Sequence, residues 1–128
     1  MHTNEHESLD KLIETVIGSA YEVANVLGCG FLEKVYERAM LGELACRGLA
    51  ARSGVAFPVL YKGVPVGNYV ADLVVEDQLI IELKCVEQFS NEHMAQCINY
   101  LKASGIRIAL LINFQHPKVA WKRIIQGY

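Results

Sequence analysis

Apolar residues recur at helical spacing from Ser8 to Leu27, where Leu9, Leu12, Ile13, Val16, Ile17, Ala20, Val23, Ala24 and Leu27 share one face. This pattern predicts a long amphipathic helix with Ser8 as its N-cap, although Lys11 stands where a capping box would place Glu. Gly28-Cys29-Gly30 breaks the helix. A second helix is expected from about Phe31 to Arg47, turning Leu32, Val35, Tyr36, Ala39, Met40 and Leu44 inward, with Gly48 as its C-cap. The period then changes to two. Ala50 to Tyr61 reads as a strand, and Pro58 inside it points to an edge or an irregularity. Lys62-Gly63-Val64-Pro65 is turn chemistry. Tyr69 to Val75 and Leu79 to Cys85 read as two further strands, joined as a hairpin through Glu76-Asp77-Gln78. Ser90 or Asn91 caps a helix running to about Ala103, and Gly105 follows its end. Arg107 to Phe114 is a strongly apolar strand, and Val119 to Ile125, with Trp121, is the last. The order is helix, helix, three strands, helix, two strands, which predicts an α/β domain with central strands buried on both faces.

Length and composition narrow the class. The 128 residues are one domain on the usual size prior, 1–128, with 1–7 expected as a flexible polar tail. The chain is 52% hydrophobic and 20% charged, which implies a packed core and excludes disorder. No apolar run reaches the roughly 18 residues that span a bilayer, and no secretion signal opens the sequence, so a cytoplasmic protein without a membrane partner is expected. Cys29, Cys46, Cys85 and Cys97 match no zinc or iron–sulfur spacing and are read as reduced, buried thiols. The formal net charge of −2 shows no basic stripe, although Lys102, Arg107, Lys118, Lys122 and Arg123 make the C-terminal third the more basic part.

The chemistry lies in charges that interrupt buried strands. Asp72 stands alone among apolar neighbours, and Glu82 and Lys84 interrupt the next strand. Side chains alternate along a strand, so Glu82 and Lys84 point the same way. If Val75 faces Leu79 across the hairpin, Asp72 falls opposite Glu82. Opposed residues have Cβ atoms about 4.5–5.5 Å apart, and like charges there are destabilising. A divalent cation, which takes oxygen ligands, explains such a pair; a purely structural cluster with Lys84 is the alternative. On the following helix His93, Gln96 and Tyr100 share a face, while Ala95, Ile98 and Leu101 are expected to pack on the sheet. His93 is a weak metal-ligand candidate. Glu33, in the first turn of the second helix, is explained by the helix dipole as readily as by function.

The stretch Gly30-Phe31-Leu32-Glu33-Lys34-Val35-Tyr36 resembles the signature of the GxxExxY family, a group within the PD-(D/E)XK nuclease superfamily. The likeness continues through Asp72, Glu82-Leu83-Lys84, Gln96-x-x-x-Tyr100-Leu101-Lys102 and Leu110-Leu111-Ile112-Asn113-Phe114. Ala71 replaces the proline of the founding motif. The resemblance implies a restriction-endonuclease-like core, a mixed sheet of about four to five strands flanked by helices. It implies catalytic roles for Asp72, Glu82, Lys84 and Glu33. It also implies a Mg²⁺ or Mn²⁺ site on Asp72, Glu82, the Leu83 backbone carbonyl and Glu33, with Gln96, Tyr100 and Tyr36 positioning substrate. Two further readings stand beside a nuclease-like phosphodiesterase acting on nucleic acid, DNA first. One is a non-catalytic nucleic-acid- or protein-binding regulatory module that keeps the fold and the metal site. The other is a structural dimerisation domain. A homodimer is the default oligomer.

Overall fold

The computed structural model describes residues 5–126. Helix α1 spans Glu5–Leu27 and α2 spans Glu33–Cys46. Three strands follow, β1 Ala51–Tyr61, β2 Val64–Val75 and β3 Leu79–Lys84, then helix α3 Asn91–Ser104, β4 Ile108–Asn113 and β5 Ala120–Ile125. The five strands form one mixed sheet in chain order. β1, β2 and β3 are an antiparallel meander, β4 runs parallel to β3, and β5 is antiparallel to β4. Only the parallel pair needs a crossover, and α3 supplies it. No helix among the described residues is long and apolar enough to cross a membrane.

The two faces of the sheet carry separate cores. Val16, Ala20, Tyr36, Met40 and Leu44 of α1 and α2 pack with Leu73, Val75, Leu79, Ile81, Leu83, Leu110 and Ile112. Cys97, Tyr100 and Leu101 of α3 pack with Ala71, Val74, Ile80, Ala109, Leu111 and Ile124. β3 and β4, covered on both sides, are the near-continuous apolar runs expected of buried strands.

Several expectations need correction. α1 begins at Glu5, so Ser8 is inside the helix rather than its cap, and positions 5–7 of the expected 1–7 tail are helical; residues 1–4 lie outside the described residues. Leu32 and Val35 are exposed, because α2 starts later than expected and turns Glu37 inward instead. β2 begins at Val64, well before Tyr69, because the Lys62-Gly63 turn is tight. Ala95 and Ile98 face outward, and Cys97 and Tyr100 join Leu101 against the sheet. Of the four free thiols only Cys97 is fully buried; Cys29 and Cys46 are exposed.

Two local devices steer the strands around Asp72. Glu76 and Asp77 both have positive φ, 55° and 54°, and Gln78 N–H donates to Val75 O at 3.0 Å. Positive φ at both central residues is what a type I′ hairpin turn requires, met here without glycine. The Glu76 side chain holds it by accepting from Ala50 N–H. The second device lies at Gly54, φ +61°, which falls between the Ser53↔Leu73 and Val55↔Ala71 pairs, as Asp72 does on β2. Below it Ala51, Leu73 and Val75 face α1 and α2; above it Val55, Phe57 and Ala71 face α3. The strand pair therefore reverses its inward face at this position. Beyond it the β1–β2 hairpin becomes an arm that leans over α3.

Candidate active site

The acidic pair sits where the β2–β3 ladder stops. Pairing runs Val75↔Leu79, Val74↔Ile80 and Leu73↔Ile81, the register that puts Asp72 opposite Glu82. At that next position the backbone bonds are replaced by side-chain bonds. Asp72 N–H donates to Glu82 Oε1 at 2.9 Å, and Leu83 N–H donates to Asp72 Oδ2 at 2.8 Å. Each carboxylate reaches across to the other strand, holding the strands apart while fixing both side chains. The remaining oxygens, Asp72 Oδ1 and Glu82 Oε2, accept no hydrogen bond from the described residues.

Electrostatics make this pair unusual. Glu82 is only 2% exposed. Burial, and then the charge of Asp72, push its pKa up to about 8. Burial raises that of Asp72 as well, opposed by the Leu83 N–H bond and reinforced by the negative charge of Glu37. Two carboxyls in one dry gap favour a shared proton or a cation. A strand residue points its N–H and C=O to the same side, so the Leu83 carbonyl also faces the gap beside Asp72. Two free carboxylate oxygens and this carbonyl are hard oxygen donors, and the set fits a divalent ion completed by water.

Lys84 and Gln96 meet beside the pair, Lys84 Nζ donating to Gln96 Oε1 at 3.3 Å. Tyr100 donates its hydroxyl to Val70 O at 2.8 Å, and burial followed by the charges of Glu82 and Asp72 raises its pKa. Cys97, beneath them, is pushed up to about 12 by burial and then by Glu82, which keeps it an unreactive thiol.

The other candidates lie farther out. Glu33 accepts from Cys85 N–H at 3.1 Å, at the end of β3. Among the described residues no three His, Cys, Asp or Glu side chains gather closely enough to hold a metal ion, so Glu33 does not complete a carboxylate triad in this arrangement. Tyr36, expected to position substrate, turns into the core. It is fully buried, donates to Gly28 O at 2.7 Å and stacks on Phe114 at 4.5 Å, so it braces the loop before α2. His93 caps the helix: its Nδ1 accepts from Ser90 N–H, while its own N–H donates to Ser90 Oγ.

Sequence reasoning missed two residues. Glu37 is buried and paired with Lys34 at 2.9 Å, and its charge bears on Asp72. Its spacing of four from Glu33, on the same helix face, was the available signal. Asn113 stands beside Lys84 in the parallel pair and clamps Val86 through both its backbone groups. A lone amide ending a buried apolar strand marks it.

The family model described as the PD-(D/E)XK nuclease superfamily matches residues 10–124. The chain belongs to the PD-(D/E)XK nuclease superfamily. Two solved structures share this superfamily member's fold. The crystal structure of SSO0001 is 17% identical with a TM-score of 0.58, covering 93% of this chain and 59% of its own. The crystal structure of an alkaline exonuclease, LHK-Exo from Laribacter hongkongensis, is 12% identical with a TM-score of 0.51, covering 84% of this chain and 76% of its own. The PD-(D/E)XK chain thus spans less than two thirds of SSO0001. No curated protein matches it in sequence. Superfamily nucleases generally use divalent metals, and the Asp72–Glu82 gap is where this chain's donors gather.

Proposed function

We propose that the chain is a Mg²⁺- or Mn²⁺-dependent nuclease-like phosphodiesterase of the GxxExxY group, cytoplasmic, acting on nucleic acid with DNA as the first substrate. The observation that carries this reading is the Asp72–Glu82 pair held across the β2–β3 split by reciprocal backbone bonds, with Lys84 on the strand and face of Glu82. Asp72, Glu82 and the Leu83 carbonyl would hold the ion, with Glu33 acting through water. When bound, the ion supplies an activated water and offsets charge on the scissile phosphate. Lys84, held by Gln96, places its ammonium toward the negative charge that develops on the phosphate. Gln96 fixes the direction of that ammonium, and Tyr100 ties α3 to β2 at Val70.

The test is a cleavage assay on linear, circular and single-stranded DNA with Mg²⁺ or Mn²⁺. Cleavage should vanish with Asp72→Ala and fall by about 10²–10³-fold with Lys84→Ala. Wild-type protein that binds the metal but cuts none of these substrates sinks the enzyme reading.

One observation favours a second reading. Both carboxylates already serve the backbone, and no third acidic side chain joins them among the described residues. A non-catalytic nucleic-acid- or protein-binding regulatory module needs no more than that. It is expected to bind nucleic acid or a protein partner without turnover. A homodimer belongs to either reading, and light scattering of the purified chain tests it.

A further inference from the structure

A groove of about 440 Å³ lies between the β1–β2 arm and α3. Its wall on the arm is apolar, from Pro58 to Leu60, with the ring of Tyr69 beside it. Asn99 and Lys102 form the α3 side, and Asn99 Nδ2 donates to the Tyr69 hydroxyl at 3.2 Å. No carboxylate lines the groove among the described residues, so Lys102 gives it a positive sign in a chain of net charge −2.

The groove lies on the same side of the sheet as α3, one aromatic pair away from the acidic residues. Tyr69 meets Tyr100 edge-on, with ring centroids 5.2 Å apart at 69°, and Tyr100 feels the charges of Glu82 and Asp72. Two rings therefore stand between groove and carboxylates. Along β2, Tyr69 is three residues from Asp72, about 10 Å at the strand rise. The same helix serves both places, Gln96 beside Lys84 and Asn99 in the groove.

An aromatic ring, an apolar wall, an amide and one cation are what a single unpaired nucleotide requires. Bases stack on aromatic side chains whatever their sequence, an amide can bond a base edge, and a lysine takes the phosphate. The volume lies within the range of small-ligand pockets, about 300–1,000 Å³. We infer that this groove is a nucleotide subsite that takes an unpaired base flanking the reacting phosphate, so that the substrate is a single strand or a frayed end. The base rests on Tyr69 and the Pro58–Leu60 wall, Asn99 addresses its edge, and Lys102 holds its phosphate. The link to cleavage rests on the proposed function; the binding does not.

The experiment is fluorescence anisotropy of the whole chain with a labelled single-stranded DNA oligomer and with a blunt duplex of the same length, in EDTA. The single strand should bind more tightly. Tyr69→Ala and Lys102→Glu should each weaken it about tenfold, the scale of one lost stacking or phosphate contact. Tyr69→Phe should restore most of what Tyr69→Ala loses. Lys118→Glu, an equal charge change outside the groove, should do far less than Lys102→Glu. Lys102 is exposed, so its variant reports even if Tyr69→Ala fails to fold. Equal affinity for duplex and single strand, or wild-type affinity in Lys102→Glu, overturns the inference. Groove-dependent binding without metal-dependent cleavage upholds the subsite and sinks the enzyme. Cleavage indifferent to Tyr69→Ala and Lys102→Glu does the reverse.

Discussion

Glu82 holds its proton far more tightly in the fold than a free glutamate does, and the sign of that difference sets the response to pH. Its pKa rises from 4.5 to about 8. Between those values the folded chain keeps a proton that the unfolded chain has lost, so stability is full below the lower value and drains away as pH rises toward 8. Asp72 acts in the same direction. The metal-free protein should therefore melt at a lower temperature at pH 8 than at pH 5.5. Glu82→Gln, which keeps the shape without the charge, should flatten that slope and raise the pH 8 melting temperature; an unchanged melting curve would count against the buried pair. Tyr36→Phe removes the hydroxyl bond to Gly28 but keeps the stack on Phe114. It should cost about 1 kcal/mol in chemical denaturation and leave the proposed cleavage unaffected. At this scale the sequence was legible where a charge broke an apolar strand, as at Asp72, Glu82 and Lys84. It was not legible for Tyr36, since a motif tyrosine reads the same whether its hydroxyl meets substrate or backbone. His93 failed for a like reason: a helix face was visible, but not the reach of its ring back to Ser90.

Among the elements, the β1–β2 arm owes its direction to Gly54. A Cβ there would meet no atom within 4 Å, so any penalty for a larger residue comes from the backbone at φ +61°. Gly54→Ala should destabilise by about 1–2 kcal/mol, measured by urea unfolding. It should also weaken single-strand binding without touching a groove residue, because the arm would lean differently over α3. Wild-type stability in this variant would mean that the reversal at Asp72 is held by other contacts. Periods of two and 3.6 were enough to find every element. They did not find the reversal, because alternation continues by residue number while the chain turns over. Glycine inside a strand pattern was its only trace. The start of α2 escaped for a different reason. Exposed Leu32 and Val35 look like core residues, and only the α2 boundary at Glu33 reveals that Glu37 takes the inward place.

For the whole molecule, the Asp72–Glu82 gap lies between two helical faces: the charges of Glu37 and Glu33 on α2 bear on Asp72, and Gln96 on α3 holds Lys84 beside the pair. A divalent ion bound there should stabilise the fold by about 2.7 kcal/mol at a hundred times its Kd. The gain should be larger at pH 8 than at pH 5.5, since the ion replaces the proton, and absent in Asp72→Ala. A melting series with Mg²⁺ and Mn²⁺ at both pH values measures it; a rise that survives Asp72→Ala would place the ion elsewhere. The architecture was readable from element order, because a meander followed by one helical crossover leaves few arrangements.

The left-handed Glu76-Asp77 turn has a kinetic consequence. It joins neighbours in sequence, so the β2–β3 hairpin can close early, whereas β3 meets β4 only after α3 has crossed. A refolding chain should then bring Asp72 and Glu82 together before Lys84 finds Gln96, so that in mild alkali, where the pair lacks its proton, uncompensated negative charge is carried through the slow step. Stopped-flow refolding should accordingly run faster in mild acid than in mild alkali, with added magnesium narrowing the gap.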